Sequence, residues 1–325
     1  MFKSGYKPIL TIDLGGTNIK AALVTPEGEL QHFRSYATLA AKGPAKLIER
    51  ITGVVEDMAA KNKLELDKMP GIAIAAAGIL DIKNGIVTSS PNLPGWRNIH
   101  LREILSEKLG VRIHLINDAS AAALGEHRLG AGKVLKNLVY LTVSTGIGGG
   151  IIINNELYIG TDGCAGELGH MIVEANGPLC KCGSYGCLEV MASGTALASK
   201  TAARIRNGEK SQVVDIVDGI IENITAEKVA LAARKGDPLA CDMVNRVAFY
   251  LGIGMSNIIN IFNPEMIIIG GGMSKMGEML LRPARKVVRE RALKFPARNT
   301  NIVRARLGDN AGTIGAAISA FDNFY

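Results

Sequence analysis

Two stretches of this chain repeat one pattern: a β-branched run, a glycine turn, and a second apolar run. The first is Pro8-Ile-Leu-Thr-Ile-Asp-Leu, then Gly15-Gly16-Thr17-Asn18, then Ile19 to Val24. The second runs from Asn137 to Ser144, turns between Thr145 and Gly150, and resumes from Ile151 to Ile153. Each reads as a β-hairpin with a glycine tip. Around them, strand and helix patterns alternate. Residues 44 to 62 carry apolar positions at helical spacing (Leu47, Ile48, Ile51, Val54, Val55, Met58). A small-residue strand follows Gly71, a helix spans about 100 to 109, and a strand Arg112 to Ile116 ends in Asn117-Asp118 before an alanine-rich helix. Met266 to Ile269 reads as a buried strand leading into Gly270-Gly271-Gly272. This alternation predicts an α/β fold. The 325 residues suffice for two lobes, and a cleft between two such lobes suits a nucleotide.

Successive backbone N–H groups in glycine turns form concave nests for phosphate oxygens. Gly15, Gly16, Gly146, Gly148, Gly149 and Gly150 are candidates for such nests, with Gly271 and Gly272 after the later strand. Thr17 and Thr145 add hydroxyls, and Asp13 is placed to hold a water of a magnesium shell. Neither turn is followed by Gly-Lys-Ser/Thr, so neither is a Walker loop, and neither is a Rossmann fingerprint. A single turn of this kind is no more than a tight hairpin; the repetition carries the inference.

Composition and charge narrow the class. Apolar residues make up 47% and charged residues 21%, an ordinary soluble balance. Leu138 to Asn155 and Val247 to Pro264 lack charges, but the first is broken by glycines and the second carries Asn257, Asn260 and Asn263 as a polar stripe. A buried helix is expected over Val247 to Pro264, and a membrane span in neither stretch. Ile9 to Leu14 is too short for a signal-peptide core, so a cytoplasmic location is expected. Between Arg282 and Arg306 nine Lys or Arg residues face one acid, Glu290. No aromatics interleave on that basic face, so a solvated helix side is expected, with Leu281, Ala284, Val287 and Val288 turned inward, and no nucleic-acid partner.

The string Ile12-Asp-Leu-Gly-Gly-Thr-Asn resembles the first phosphate motif of the actin and hexokinase superfamily. Gly166-Glu-Leu-Gly-His170, followed by Cys180-Lys-Cys-Gly-Ser-Tyr-Gly-Cys187-Leu-Glu189, resembles the signature of the ROK family of sugar kinases and bacterial repressors. The likeness runs from Ile9 to about Ala317. It implies a two-lobed actin/hexokinase (ribonuclease H-like) α/β fold with the active site in the interdomain cleft. The implied small lobe is 1–117 plus about 312–325, and the large lobe 118–311. It also implies an ATP-dependent hexose kinase acting on the 6-hydroxyl of glucose, with N-acetylmannosamine or N-acetylglucosamine as runner-up. The rival is a sugar-sensing regulator, which would carry a helix-turn-helix before the first motif; here that motif begins at Ile9.

Residue by residue, the resemblance implies Asp118 as general base; read alone, that aspartate is an ordinary helix N-cap. Gly78, Asn92, Asn117, Glu167, His170 and Glu189 match sugar-contacting positions, and Trp96 is pocket wall or core. Asn18 stands where many relatives have Lys or Thr. Five cysteines argue against a disulfide framework. Cys180, Cys182 and Cys187, with His170, form a Cys₃His set suited to a structural Zn²⁺, while Cys164 and Cys241 are expected to be buried. His170 is expected to face the metal with one ring nitrogen and a sugar hydroxyl with the other. ATP, Mg²⁺ and a homodimer or homotetramer complete the expectation.

Overall fold

The computed structural model describes residues 6–90 and 92–325. The chain opens with β1 (Ile9–Leu14), β2 (Asn18–Val24) and β3 (Leu30–Ala37), then α1 (Pro44–Asn62) and β4 (Ile72–Ala76). Three short strands follow, β5 (Ile79–Asp81), β6 (Ile86–Ser89) and β7 (Arg97–Ile99), then α2 (Leu101–Leu109), β8 (Ile113–Asn117) and α3 (Asp118–Leu129). The second part has β9 (Leu138–Val143), β10 (Ile147–Ile153) and β11 (Glu156–Leu157). Helices α4 (Leu188–Ala192), α5 (Gly194–Arg206), α6 (Val213–Ile216), α7 (Ala226–Arg234) and α8 (Pro238–Phe262) come next. The chain ends with β12 (Met266–Gly270), α9 (Glu278–Arg291), α10 (Lys294–Asn299), β13 (Asn301–Arg304) and α11 (Ala311–Phe324).

Two compact units result. One holds the residues up to Val134 with Gly150–Gly166 and Asp309–Tyr325; the other holds Leu135–Gly149 and Glu167–Gly308. The lobes expected from the sequence divide at residue 117, whereas here α3 stays with the first unit because it packs along α11. In that unit the sheet order is β3-β2-β1-β4-β8, antiparallel from β3 to β1 and parallel from β1 to β8. Strands β1 and β4 are covered on both faces, which explains their unbroken apolar runs. Leu47, Ile51, Val54 and Met58 of α1 cover one face with Ile12, Leu14, Ile74 and Leu115. Ala316, Ala317, Ala320 and Phe321 of α11 cover the other, against Ala73 and Ala75. Each fully buried Leu, Ile, Met or Phe contributes about 1.5–3 kcal/mol of transfer energy. Trp96 belongs to the α1-side core, so the structure assigns it to packing.

In the second unit β12 lies between β9 and β13 and is parallel to both. The division between the units falls inside β10, whose later half pairs with β11 in the first unit. Helix α8 is buried along most of its length, and no helix among the described residues is long and apolar enough to cross a membrane. Its polar stripe has local work: Asn260 Oδ1 accepts the Leu293 N–H, and Asn263 adopts the left-handed cap. The basic stretch folds largely as expected. Leu281, Ala284, Val287 and Val288 of α9 are buried, and Arg285 is held by Glu278 and the Ile302 carbonyl. Arg282, Lys286 and Arg289 are exposed along a shallow groove of about 600 Å³.

Candidate active site and metal centre

In the first unit the carboxyl ends of the parallel strands β1, β4 and β8 lie level, with Leu14 beside Ala76 and Ala76 beside Asn117. Ligands of open α/β sheets bind at such ends. Here those ends carry Asp13 and the turn Gly15-Gly16, the loop at Gly78, and Asn117-Asp118. The cap of α3 is Asn117, not Asp118: Asn117 Oδ1 accepts the N–H groups of Ala119 and Ser120, and its amide donates to the Gly78 carbonyl. Asp118 sits at the first helical position, and its Oδ1 also accepts the Ala119 N–H. Those bonds occupy Asn117 Oδ1, so its described work is to tie the Gly78 loop to the start of α3. Asn92 lies against Gly16: a Cβ there would come 3.0 Å from both the Cβ and the carbonyl oxygen of Asn92.

The turn itself is arranged by its carbonyls. Asn18 C=O accepts from Gly15 N–H, Gly15 C=O from the Thr38 hydroxyl at 2.7 Å, and Thr17 C=O from the Thr38 N–H at 2.8 Å. Among the described residues the N–H groups of Gly16 and Thr17 then have no acceptor. Neither Gly15 nor Gly16 has a positive φ, so these glycines serve close approach and not dihedral freedom.

Sequence reasoning missed Lys20. Hairpin register sets it opposite Asp13, and its Nζ lies 3.4 Å from Asp13 Oδ2 and 2.9 Å from the Asp309 carbonyl. Counting back from the glycine tip gives this pairing. Burial pushes the Asp13 carboxyl above the ordinary range, and Lys20 opposes that shift. Thr38 has no comparable signal, since it reaches the turn from 23 residues away.

In the second unit the glycine turn is shorter than expected. It comprises Ser144 to Gly146; Gly148, Gly149 and Gly150 lie on strand β10. Its carbonyls are also occupied. Ser144 C=O accepts from Gly194 N–H, Thr145 C=O from the Thr195 hydroxyl, and Gly146 C=O from Ser144 N–H. Among the described residues the N–H groups of Thr145 and Gly146 have no acceptor. The Ile147 N–H, one step on, donates to Glu189 Oε2 at 2.9 Å. Gly271 passes over the end of β9, where a Cβ would stand 2.5 Å from the Val143 carbonyl oxygen, and a Cβ on Gly272 would stand 3.6 Å from Ser144 Oγ.

The metal set comes together in this same unit. One ligand atom from each of His170, Cys180, Cys182 and Cys187 lies within 4.8 Å of all the others. Cys182 Sγ is 3.6 Å from Cys187 Sγ, and Cys180 Sγ is 3.8 Å from His170 Nδ1. Tetrahedral zinc with bonds near 2.3 Å to sulfur places ligand atoms about 3.8 Å apart, so these residues fit the ion. Burial pushes the Cys187 thiol up to about 12 and raises Cys180, while the Ser184 N–H lowers Cys182. Buried thiols of this kind become ligands when a cation offsets their charge. The other His170 nitrogen, Nε2, faces Glu167 Oε2 at 3.9 Å. Burial raises the Glu167 carboxyl; His170 counteracts and Glu189 adds to that shift. Cys164 and Cys241, expected inside, are both half-buried.

Residues 9–322 match the ROK family. The chain is 38% identical over 312 residues to a glucokinase of Thermotoga maritima, covering 95% of this chain and 96% of that protein. A crystal structure of a ROK family glucokinase from Streptomyces griseus, in complex with glucose and AMPPNP, superposes with a TM-score of 0.86 at 34% identity, over 97% of this chain and 99% of that one. The xylose repressor of Caldicellulosiruptor bescii is 34% identical over 94% of this chain, which spans 76% of that protein. With its mixed α/β architecture and its three sheets, this chain belongs to the ROK family.

Proposed function

We propose that this protein is an ATP-dependent hexose kinase that transfers the γ-phosphate of ATP to the 6-hydroxyl of glucose. The observation that carries the reading is the place of Asp118: it opens α3 directly after β8, at the level carboxyl ends of β1, β4 and β8 that also carry Asp13 and the Gly15-Gly16 turn. In the proposed reaction Asp118 takes the proton of the attacking hydroxyl as the new O–P bond forms and ADP departs with the old one. Positioning and charge stabilisation supply most of the rest. The paired N–H groups at Gly16–Thr17 and at Thr145–Gly146 are donors for phosphate oxygens, and Asp13 is the acid for a magnesium-bound water. Glu167, His170 and Glu189 are proposed for sugar hydroxyls, with Asn92 and the Gly78 backbone. The glucose and AMPPNP complex of the Streptomyces griseus relative supports this choice of substrates.

Zinc is proposed for the Cys₃His set, where it would be structural, because four protein ligands leave no open position. Action in the cytoplasm and a closed homodimer or homotetramer are part of the same reading. The test is a panel of hexoses assayed with ATP. Glucose is expected to yield ADP and sugar 6-phosphate in equal amounts, at a kcat/KM at least ~10-fold above that for N-acetylmannosamine, N-acetylglucosamine, mannose and fructose. Sugar binding without turnover on any hexose would replace this reading with that of a sugar-sensing regulator, the class to which the Caldicellulosiruptor bescii repressor belongs.

A further inference from the structure

Just after the second glycine turn, the metal loop touches one residue, Ile147, on both its backbone N–H and its C=O. Glu189 Oε2 accepts the Ile147 N–H at 2.9 Å, close enough to Gly146 that a Cβ there would stand 2.4 Å from the same oxygen. Gly169 lies against the other end, where a Cβ would stand 2.0 Å from the Ile147 carbonyl oxygen. Gly169 immediately precedes His170, and Glu189 follows Cys187 by two residues on the first turn of α4. The two grips on Ile147 are therefore carried by chain segments that end in ligands of the Cys₃His set. Between them the loop has little regular structure, with two isolated β-bridges, Ile172 to Cys187 and Leu179 to Tyr185. Without a clamp, segments of this kind lose the fixed spacing that holds both grips at once.

We infer that the metal loop braces the phosphate-binding turn: occupancy of the Cys₃His site raises nucleotide affinity, with Glu189 and Gly169 transmitting the effect through the backbone of Ile147. Glu189 is then a positioning residue for nucleotide as well as a proposed sugar contact. The sequence alone pointed from the metal to the sugar; the geometry extends that link to the phosphates. The inference rests on the reading that Thr145 and Gly146 hold nucleotide phosphates. Coupling of this kind is reciprocal, so bound nucleotide also tightens metal retention.

The experiment titrates Mg-ADP by calorimetry into sugar-free protein, zinc-loaded or chelator-stripped, with metal content measured in each sample. Stripping the wild type is expected to weaken ADP binding ~10-fold. Glu189→Ala, still holding its zinc, is expected to weaken it comparably, and stripping that variant adds less than about threefold. Glu189→Gln, whose amide oxygen still accepts the Ile147 N–H, is expected to stay within about threefold of wild type. A residue that only contacted sugar would leave ADP binding unmoved in every variant. Wild-type ADP affinity in zinc-loaded Glu189→Ala overturns the inference, as does unchanged affinity in stripped, folded wild type. If stripping unfolds the protein by circular dichroism, the two zinc-loaded variants decide alone. Failure of the zinc-loaded wild type to bind ADP at all would instead overturn the kinase reading, and the inference with it.

Discussion

The two glycine turns solve one problem with different supports. In both, three carbonyls in or beside the turn are occupied, and two adjacent N–H groups are left without acceptors among the described residues. In the first turn one residue, the buried Thr38, supplies two of the three donors. In the second, Gly194 and Thr195 at the N-terminus of α5 supply them, and Glu189 fixes the next peptide. The first turn adds an acid with a paired lysine, Asp13 and Lys20; the second adds neither, and leans on the metal loop. Donor presentation in a glycine turn is thus set by what occupies its carbonyls, and not by left-handed glycines, which neither turn tip has.

The largest effect should separate both turns from the chemistry. Asp118→Asn keeps size and helix position but accepts no proton, so kcat is expected to fall at least ~10². The ADP dissociation constant should stay within about twofold, because Asp118 belongs to neither turn. Near-normal turnover would remove Asp118 from the role of base; a large loss of ADP affinity would tie it to the phosphate nests instead.

Next in size is the contrast between Gly146→Ala and Gly16→Ala. At Gly146 the added methyl displaces the Glu189 carboxylate from the Ile147 N–H. Loss of a hydrogen bond to a charged group costs about 1.5–3 kcal/mol, or tenfold or more in ADP affinity. At Gly16 the methyl meets Asn92 at 3.0 Å, and the loop gives by a few tenths of an ångström. There glucose affinity should fall several-fold while ADP affinity moves less than about threefold. Equal ADP losses in the two variants would erase the distinction between the supports.

Lys20→Met tests the charge pair that only the first turn has. Burial already holds the Asp13 carboxyl above its ordinary range, and Lys20 pulls it down. Removing the ammonium moves that pKa further up. The ionised form, needed to hold a magnesium-bound water, is then lost at a higher pH as acid is added. The acid limb of kcat/KM for Mg-ATP should move upward in pH, with a smaller change at alkaline pH. An unmoved limb in Lys20→Met, measured beside Asp13→Asn, would show that Asp13 does not govern it.

Much of this framework was legible in the sequence, for physical reasons. Helix α1 falls on its expected residues because its apolar positions keep one face buried. The Cys₃His set was legible because soft ligands crowded around glycines have few other uses. What escaped was long-range. Thr38 and Thr195 look like ordinary hydroxyls, and only the folded chain brings them to carbonyls 23 and 50 residues away. The run Gly148 to Gly150 misled because glycine marks either a turn or a strand needing small residues. Here Gly150 lies where a Cβ would meet Ala123 and the Ala119 carbonyl, so the run continues as strand β10. Read from sequence alone, the cap falls to Asp118, and only the hydrogen bonds assign it to Asn117.

The smallest expected effects compare the two threonines directly. Thr38→Val and Thr195→Val each remove one hydroxyl and keep side-chain shape. Thr38 is fully buried, so the Gly15 carbonyl that loses its 2.7 Å partner is left facing protein. An unsatisfied group of that kind costs about 1–3 kcal/mol. Thr195 is exposed, and water can replace its 2.8 Å bond to the Thr145 carbonyl. Its loss should stay within about 0.5 kcal/mol. Urea unfolding of both variants, with m-values compared, measures the difference. The ordering matters more than either number. If Thr195→Val is as costly as Thr38→Val, the second turn depends on its helix-borne hydroxyl as strictly as the first depends on Thr38. The brace from the metal loop would then be secondary, because a turn supported at Ile147 should tolerate the loss of one exposed donor at Thr145.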